Sequence, residues 1–174
     1  MDAALDLARE AADVGEVPVG AVVLDGDGVV IGRGRNRREA DGDPLAHAEV
    51  MALREAADSR KSRMNEGAGH ARSNDDDSRD DQTMNKFARQ NAWNLADCTL
   101  VVTLEPCPMC AGAALQTHVG RIVFGAWDAK LGACGSVWDI PRDPHVGARP
   151  EVVGGVREAE CAQVLADFFV CRRK

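Results

Sequence analysis

Tyrosine is absent from the 174 residues, and aromatics make up only 4% of them. Any stacking against a planar ring therefore falls to three tryptophans and four phenylalanines. No apolar run is long enough to span a bilayer, which takes about 20 residues. The start, Met1-Asp2-Ala3-Ala4-Leu5, carries neither the basic segment nor the cleavable apolar region of an export signal. A disulfide framework is missing too. Of the six cysteines, those at 98, 134, 161 and 171 are isolated, and Cys98 and Cys161 fall on apolar patterns as buried hydrophobes. A reducing cytoplasm is the expected setting. Excess positive charge is also lacking. A net charge of −7 argues against a general nucleic-acid coat, but it leaves room for local basic patches. Two candidates are Arg33, Arg35, Arg37 and Arg38, and the ending Arg172-Arg173-Lys174. Each reads equally well as a solvated strand edge or helix end.

What is present is concentrated in Thr103-Leu104-Glu105-Pro106-Cys107-Pro108-Met109-Cys110-Ala111-Gly112-Ala113, read together with His47-Ala48-Glu49. Cys107 and Cys110 sit where an apolar strand pattern gives way to a helical one. Residues three apart at a helix start share a face, so both sulfurs can point at one spot. The partial positive charge of a helix N-terminus favours thiolate over thiol. A lone C-x-x-C also fits a thioredoxin-like redox pair or half of a structural zinc site. A closed structural site needs a fourth protein ligand, usually from a second ligand pair. No such pair is found: His70 lies in a polar run, and His118 and His145 stand alone. His47, followed two residues later by Glu49, opens a second helical pattern. Three donors from two helix starts leave the fourth zinc position open, the arrangement of a catalytic site. H-x-E with P-C-x-x-C is the signature of zinc nucleobase deaminases.

The element order is read from periodicity. Asp2 to Val14 is helical; Val17 to Leu24 and Val29 to Ile31 form a hairpin over Asp25-Gly26-Asp27-Gly28. Helix His47–Ala57, a strand from Asp97 or Cys98 to Leu104, helix Cys107–Thr117 and strand Arg121–Ala126 follow. A weaker strand, Glu151–Val156, and a helix, Glu158–Val170, close the chain. This order predicts an α/β fold, a three-layer α/β/α sandwich with a five-stranded mixed sheet. Such sheets bind ligands where strand ends meet helix starts, and both donor segments lie at such junctions. Residues 1–174 are expected to form one zinc deaminase domain. Its exception is residues 58–89, a polar, acidic insertion with Asp75-Asp76-Asp77 and Asp80-Asp81, read as a solvated loop.

These residues resemble the bacterial tRNA-specific adenosine deaminase family, within the cytidine deaminase-like superfamily. The resemblance lies in Val17 to Val22, Asn36-Arg37, Ala46 to Leu53, Thr103 to Ala113, Gly125 to Ser136 and the ending Asp167-Phe168-Phe169 before arginines. The resemblance implies hydrolytic deamination of the wobble adenosine to inosine in a tRNA anticodon loop, by a homodimer with one zinc ion per subunit. His47, Cys107 and Cys110 match the family's zinc ligands, and Glu49 matches its proton shuttle. Asn36 matches a residue contacting the target base, Asp128 one contacting the neighbouring nucleotide, and Phe169 a tail packing near the bound loop. The chain departs from the family in its shorter N-terminus, in His118 where arginine is frequent, and in the insertion. The alternatives are a free-base deaminase of the same fold acting on guanine or cytosine, and an inactive RNA-binding module. Glu49 argues against the second, because holding zinc does not require it.

Overall fold

The computed structural model describes residues 1–70 and 91–172. Helix α1 (Asp2–Asp13) forms because Ala4, Leu5, Ala8 and Ala11 recur at helical spacing, and all four are buried. It ends in a Schellman turn. Gly15, at φ +83°, donates to Ala12 O, and Glu16 N–H reaches back to Ala11 O at 2.9 Å. Strands β1 (Gly20–Leu24) and β2 (Val30–Arg35) make an antiparallel hairpin. A short helix α2 (Arg38–Asp41) and the long helix α3 (Ala48–His70) follow. Then come β3 (Thr99–Leu104), α4 (Pro108–Gln116), β4 (Arg121–Ala126), a 3-10 turn at Ile140–Arg142, β5 (Glu151–Val153) and α5 (Glu158–Arg172).

The sheet order is β2-β1-β3-β4-β5. β1 runs antiparallel to β2 and β3, while β3, β4 and β5 are parallel. This is the mixed five-stranded sheet expected from the element order. Helices α3 and α4 cover one face, over a core built from Ala21, Val23, Leu100, Val102, Ile122 and Phe124. Helices α1 and α5 cover the other, around Leu5, Ala126 and Cys161. Among the described residues, no helix is long and apolar enough to cross a membrane.

The seat of α3 is unusually close to the sheet. A Cβ built at Gly34 would lie 2.0 Å from Ala48 O and 2.6 Å from Ala52 N, and one at Gly32 would lie 2.2 Å from Ala52 O. Ala48, Ala52 and Ala56, each four residues apart and fully buried, face those glycines. Helix backbone therefore rests on strand backbone, with no side chain between them.

Several expected boundaries move. β1 begins at Gly20 rather than Val17, because Pro18 has no N–H to give a ladder and Val19 N–H turns back onto Val17 O. β2 continues to Arg35, past the expected end at Ile31, because the inward positions beyond it are glycines without an apolar signature. α2 was not expected, and β5 stops at Val153. The largest correction concerns α3, which passes Ala57 and continues to His70, so residues 58–70 are helix rather than loop. Its outer turns are tied down by charge: Arg60 reaches Asp97 and the Asn94 carbonyl, and Arg63 reaches Asp25 at 3.1 Å. The remainder of the insertion, 71–89, lies outside the described residues, as do Arg173 and Lys174.

Replacing Gly34 with alanine forces α3 off β2. Overpacking of this kind typically costs about 1–3 kcal/mol, so the urea midpoint of Gly34→Ala should fall well below that of the parent chain.

Candidate active site

Cys107 occupies the position just before α4, with Pro108 as the first helical residue. Cys110 lies one turn in and is fully buried. His47 stands immediately before α3, where its carbonyl accepts Met51 N–H. The two helix starts converge. His47 Nδ1 lies 3.5 Å from Cys110 Sγ and 3.7 Å from Cys107 Sγ. All three donor atoms lie within 4.8 Å of one another.

The donors are tuned against each other. Cys107 is lowered to about 4, chiefly because its sulfur accepts a hydrogen bond from Cys110, with His47 adding to the effect. Cys110 is raised, as the thiol that donates that bond and as a buried group. The pair thus shares one proton in the metal-free protein. His47 is raised by its hydrogen bond to Cys107. Elsewhere burial pushes Cys98 up to about 11 and Cys134 up to about 12, so these remain thiols. Glu49, in the first turn of α3, is buried, and burial pushes it up to about 7, reinforced by the negative Cys107 sulfur.

The donor set fits zinc. Tetrahedral bonds of about 2.3 Å to sulfur and about 2.0–2.1 Å to nitrogen place N and S roughly 3.5 Å apart, close to the separations found. Two sulfurs and one imidazole are zinc's preferred donors. Among the described residues no fourth His, Cys, Asp or Glu joins the cluster.

The family model for the cytidine and deoxycytidylate deaminase zinc-binding region matches residues 1–126. The chain belongs to that deaminase family. A tRNA-specific adenosine deaminase of Haemophilus influenzae is 40% identical over 171 residues, which are 98% of this chain and 82% of that protein. A tRNA(Ile)-lysidine synthase of Deinococcus radiodurans is 48% identical over 169 residues, 97% of this chain. The chain spans only 24% of that relative's length. A solved structure from work on A-to-I editing by tRNA:A34 deaminases at the wobble position of transfer RNA is 34% identical, with a TM-score of 0.72. The match covers 95% of this chain and 97% of that one. The resemblance expected from the motifs therefore extends over nearly the whole chain.

The remaining candidates of this deaminase-family chain are placed unequally. Asn36 ends up buried just beyond β2, and the next residue, Arg37, donates its N–H to Ala46 O, one position before His47. That bond draws Asn36 towards the donor segment. Asp128 is half-buried after β4, and its Oδ1 is occupied by the N–H groups of Lys130 and Leu131. It closes a turn of its own loop. Phe169 is exposed on α5, edge-on to Phe168, and α5 packs on the opposite sheet face from α3 and α4. The structure thus gathers His47, Cys107, Cys110 and Glu49 and leaves Phe169 apart. His118 is exposed at φ 57°, tilted against Trp93.

Sequence reasoning did not assign two residues that support the site, Glu105 and Glu16. Glu105, 2% exposed, accepts N–H groups from Asp128, Cys134 and Ser136, and so ties the 128–136 loop to the residues just before Cys107. A carboxylate ending a strand as apolar as Thr99 to Leu104 was the available signal. Glu16 is considered below.

Glu49 generates a pH-dependent test on metal-free protein. Folded, it keeps its proton up to about 7; unfolded, it ionises from its ordinary value of 4.5. The folded state binds more protons between those values, so this residue's contribution to stability falls as pH rises through the window. Relative to Glu49→Gln, the parent chain should lose up to about 3 kcal/mol between pH 4 and pH 8, measured by urea unfolding with chelator present.

Proposed function

We propose that this chain is a zinc-dependent hydrolase that deaminates the wobble adenosine of a tRNA anticodon loop to inosine. The observation that carries the reading is the cluster of one imidazole and two sulfurs, with a buried carboxylate that keeps its proton near neutral pH. His47, Cys107 and Cys110 hold the ion. When bound, zinc supplies a Lewis acid that lowers the pKa of water from 15.7 to about 7 and so makes water a usable nucleophile.

The chain's own residues do the rest. Glu49 takes one proton from the attacking water and delivers it to ring N1 as the C6–O bond forms. It then takes the second proton from the new C6 hydroxyl and passes it to the amine, which leaves as ammonia as the C6–N bond breaks. A carboxyl group poised near the working pH suits both the taking and the giving of that proton. The apolar packing around it keeps bulk water from levelling its pKa. Asn36 meets the edge of the purine, and Asp128 faces the neighbouring nucleotide through the oxygen its turn leaves available. Phe169 belongs to a tail that packs near the bound loop.

The adenosine must be swung out of its stack to reach the pocket, at a cost of a few kcal/mol. A splayed single-stranded loop lowers that cost, and single-stranded RNA is what proteins read by sequence. The exposed Arg33 and Arg38, flanking Asn36, offer phosphate contacts in a chain that is otherwise acidic. The enzyme works as a homodimer in the cytoplasm, where its tRNA substrate and reduced thiols are found. Leu131, Val137 and Trp138, exposed within one segment, are the kind of apolar surface a second copy would cover.

The test uses an ACG-anticodon stem-loop alongside free guanine. Inosine should form from the first and no xanthine from the second; the reverse result would leave a free-base deaminase. Glu49→Gln should retain one zinc per chain by metal analysis while turnover falls at least about 10²–10⁴-fold. Light scattering should give the mass of two chains.

A further inference from the structure

Outside the metal cluster, the described residues bury two carboxylates, Glu16 and Glu105, each 2% exposed. The three backbone N–H groups on Glu105 account for it as a loop anchor. Glu16 is different, because one of its partners is a side chain already placed at the substrate. Its Oε1 accepts the Ala40 N–H at 2.8 Å, and its Oε2 accepts from Asn36 Nδ2 at 3.3 Å. No lysine or arginine among the described residues lies in ion-pair range of it. A carboxylate buried without a cation survives only if donors meet its oxygens. Both of its donors come from the segment that leads to His47.

The placement of Glu16 follows from the end of α1. The Schellman turn at Gly15 uses the Glu16 N–H to close the helix, and Pro18 follows two residues later. The chain is thus bent so that Glu16 lies under the end of β2, 20 residues away in sequence from Asn36.

We propose that Glu16 is a positioning residue that sets the sense of the Asn36 amide and thereby the purine edge the pocket accepts. This rests on the reading of Asn36 as the purine contact. A carboxylate offers acceptors only. Asn36, whose amide would otherwise be free to turn over, must give its NH2 to Glu16 and hold Oδ1 away from it. One N–H of Nδ2 remains, beside Oδ1. That donor–acceptor pair complements adenine, whose N7 accepts and whose C6 amine donates. Turned over, the amide sets acceptor against acceptor and donor against donor. Guanine, with acceptors at both N7 and O6, fits neither sense.

Glu16→Gln is a sharp variant because the Ala40 N–H cannot change its role. The glutamine oxygen stays on Ala40, its NH2 faces Asn36, and the Asn36 amide turns over to accept it. The experiment compares kcat/KM for stem-loops with adenosine or 7-deazaadenosine at the target position. It uses zinc-loaded parent chain, Glu16→Gln, Asn36→Ala and the double variant. Removing N7 should cost the parent about tenfold, the worth of one good hydrogen bond, and should cost Glu16→Gln and Asn36→Ala little. On adenosine, Glu16→Gln should fall about tenfold with its zinc content unchanged, and should lose nothing further when Asn36 is already alanine. Glu16→Asp, which keeps the charge but draws the oxygens back from Asn36, is a second variant with the same expected loss of N7 dependence.

If both Glu16 variants keep the full N7 penalty, or lose activity equally whether or not Asn36 is present, Glu16 merely supports the fold and the proposal is overturned. If Asn36→Ala itself keeps parental activity and the N7 penalty, the Asn36 reading fails first and this proposal falls with it.

Discussion

Two helix starts have to arrive at one point, and the rest of the molecule is arranged so that they do. α4 is delivered by β3 through Pro106 and Cys107, with no slack between strand and helix. α3 comes from the other side and has no such short tether. Its position is set by contact, with Gly32 and Gly34 of β2 letting the backbone at Ala48 and Ala52 settle onto the strand. Any side chain there would raise α3 and carry His47 away from the sulfurs. The separations of 3.5 and 3.7 Å between imidazole and sulfurs thus depend on the absence of a Cβ on a strand well removed from them in sequence. Each helix start also brings unpaired N–H groups and partial positive charge, which favour thiolate in an otherwise apolar setting.

Three carboxylates are buried around this arrangement, and each meets the cost of burial differently. Glu105 gathers backbone N–H groups. Glu16 takes one backbone N–H and one amide. Glu49 lies against sulfur and keeps a proton, held up to about 7. The first two solutions hold chain segments in place. The third leaves a proton at neutral pH, where transfer is cheap in both directions. The division of labour follows from what surrounds each carboxylate, since the three side chains are identical.

What could be read in advance follows the same physics. The His-Cys-Cys cluster was legible because its spacing is local: Cys107 and Cys110 span one helical turn, and His47 and Glu49 share the start of α3. The sandwich was legible from element order. The end of β2 was hidden because Gly32 and Gly34 contribute to packing by having no side chain. The extension of α3 was hidden because Arg60 and Arg63 hold it by ion pairs, which leave no apolar stripe. Glu105 stood out at the end of an apolar strand, but neither its partners nor those of Glu16 could be read, since these are backbone groups and an amide 20 to 31 residues away. The turn-closing bonds of Asp128 were unreadable for another reason. A loop aspartate looks the same in sequence whether it caps its own backbone or waits for a ligand.

The link through Glu105 has a mechanical consequence. Glu105 and Cys107 are two residues apart, and Ala133 N–H donates to Pro106 O between them at 2.9 Å. The loop bearing Asp128 is therefore bonded to the same short segment that positions the first sulfur. Gly132 is packed so tightly against Glu105 that a Cβ there would lie 2.2 Å from Oε2, so the loop cannot slide without displacing the carboxylate. Movement of this loop must pull on the turn that carries Cys107. A loop flexible enough to adapt to many ligands would loosen the donor geometry as it moved. The bonding pattern therefore favours a preformed donor site, in which the 128–136 loop and the cysteine-bearing turn move together or not at all.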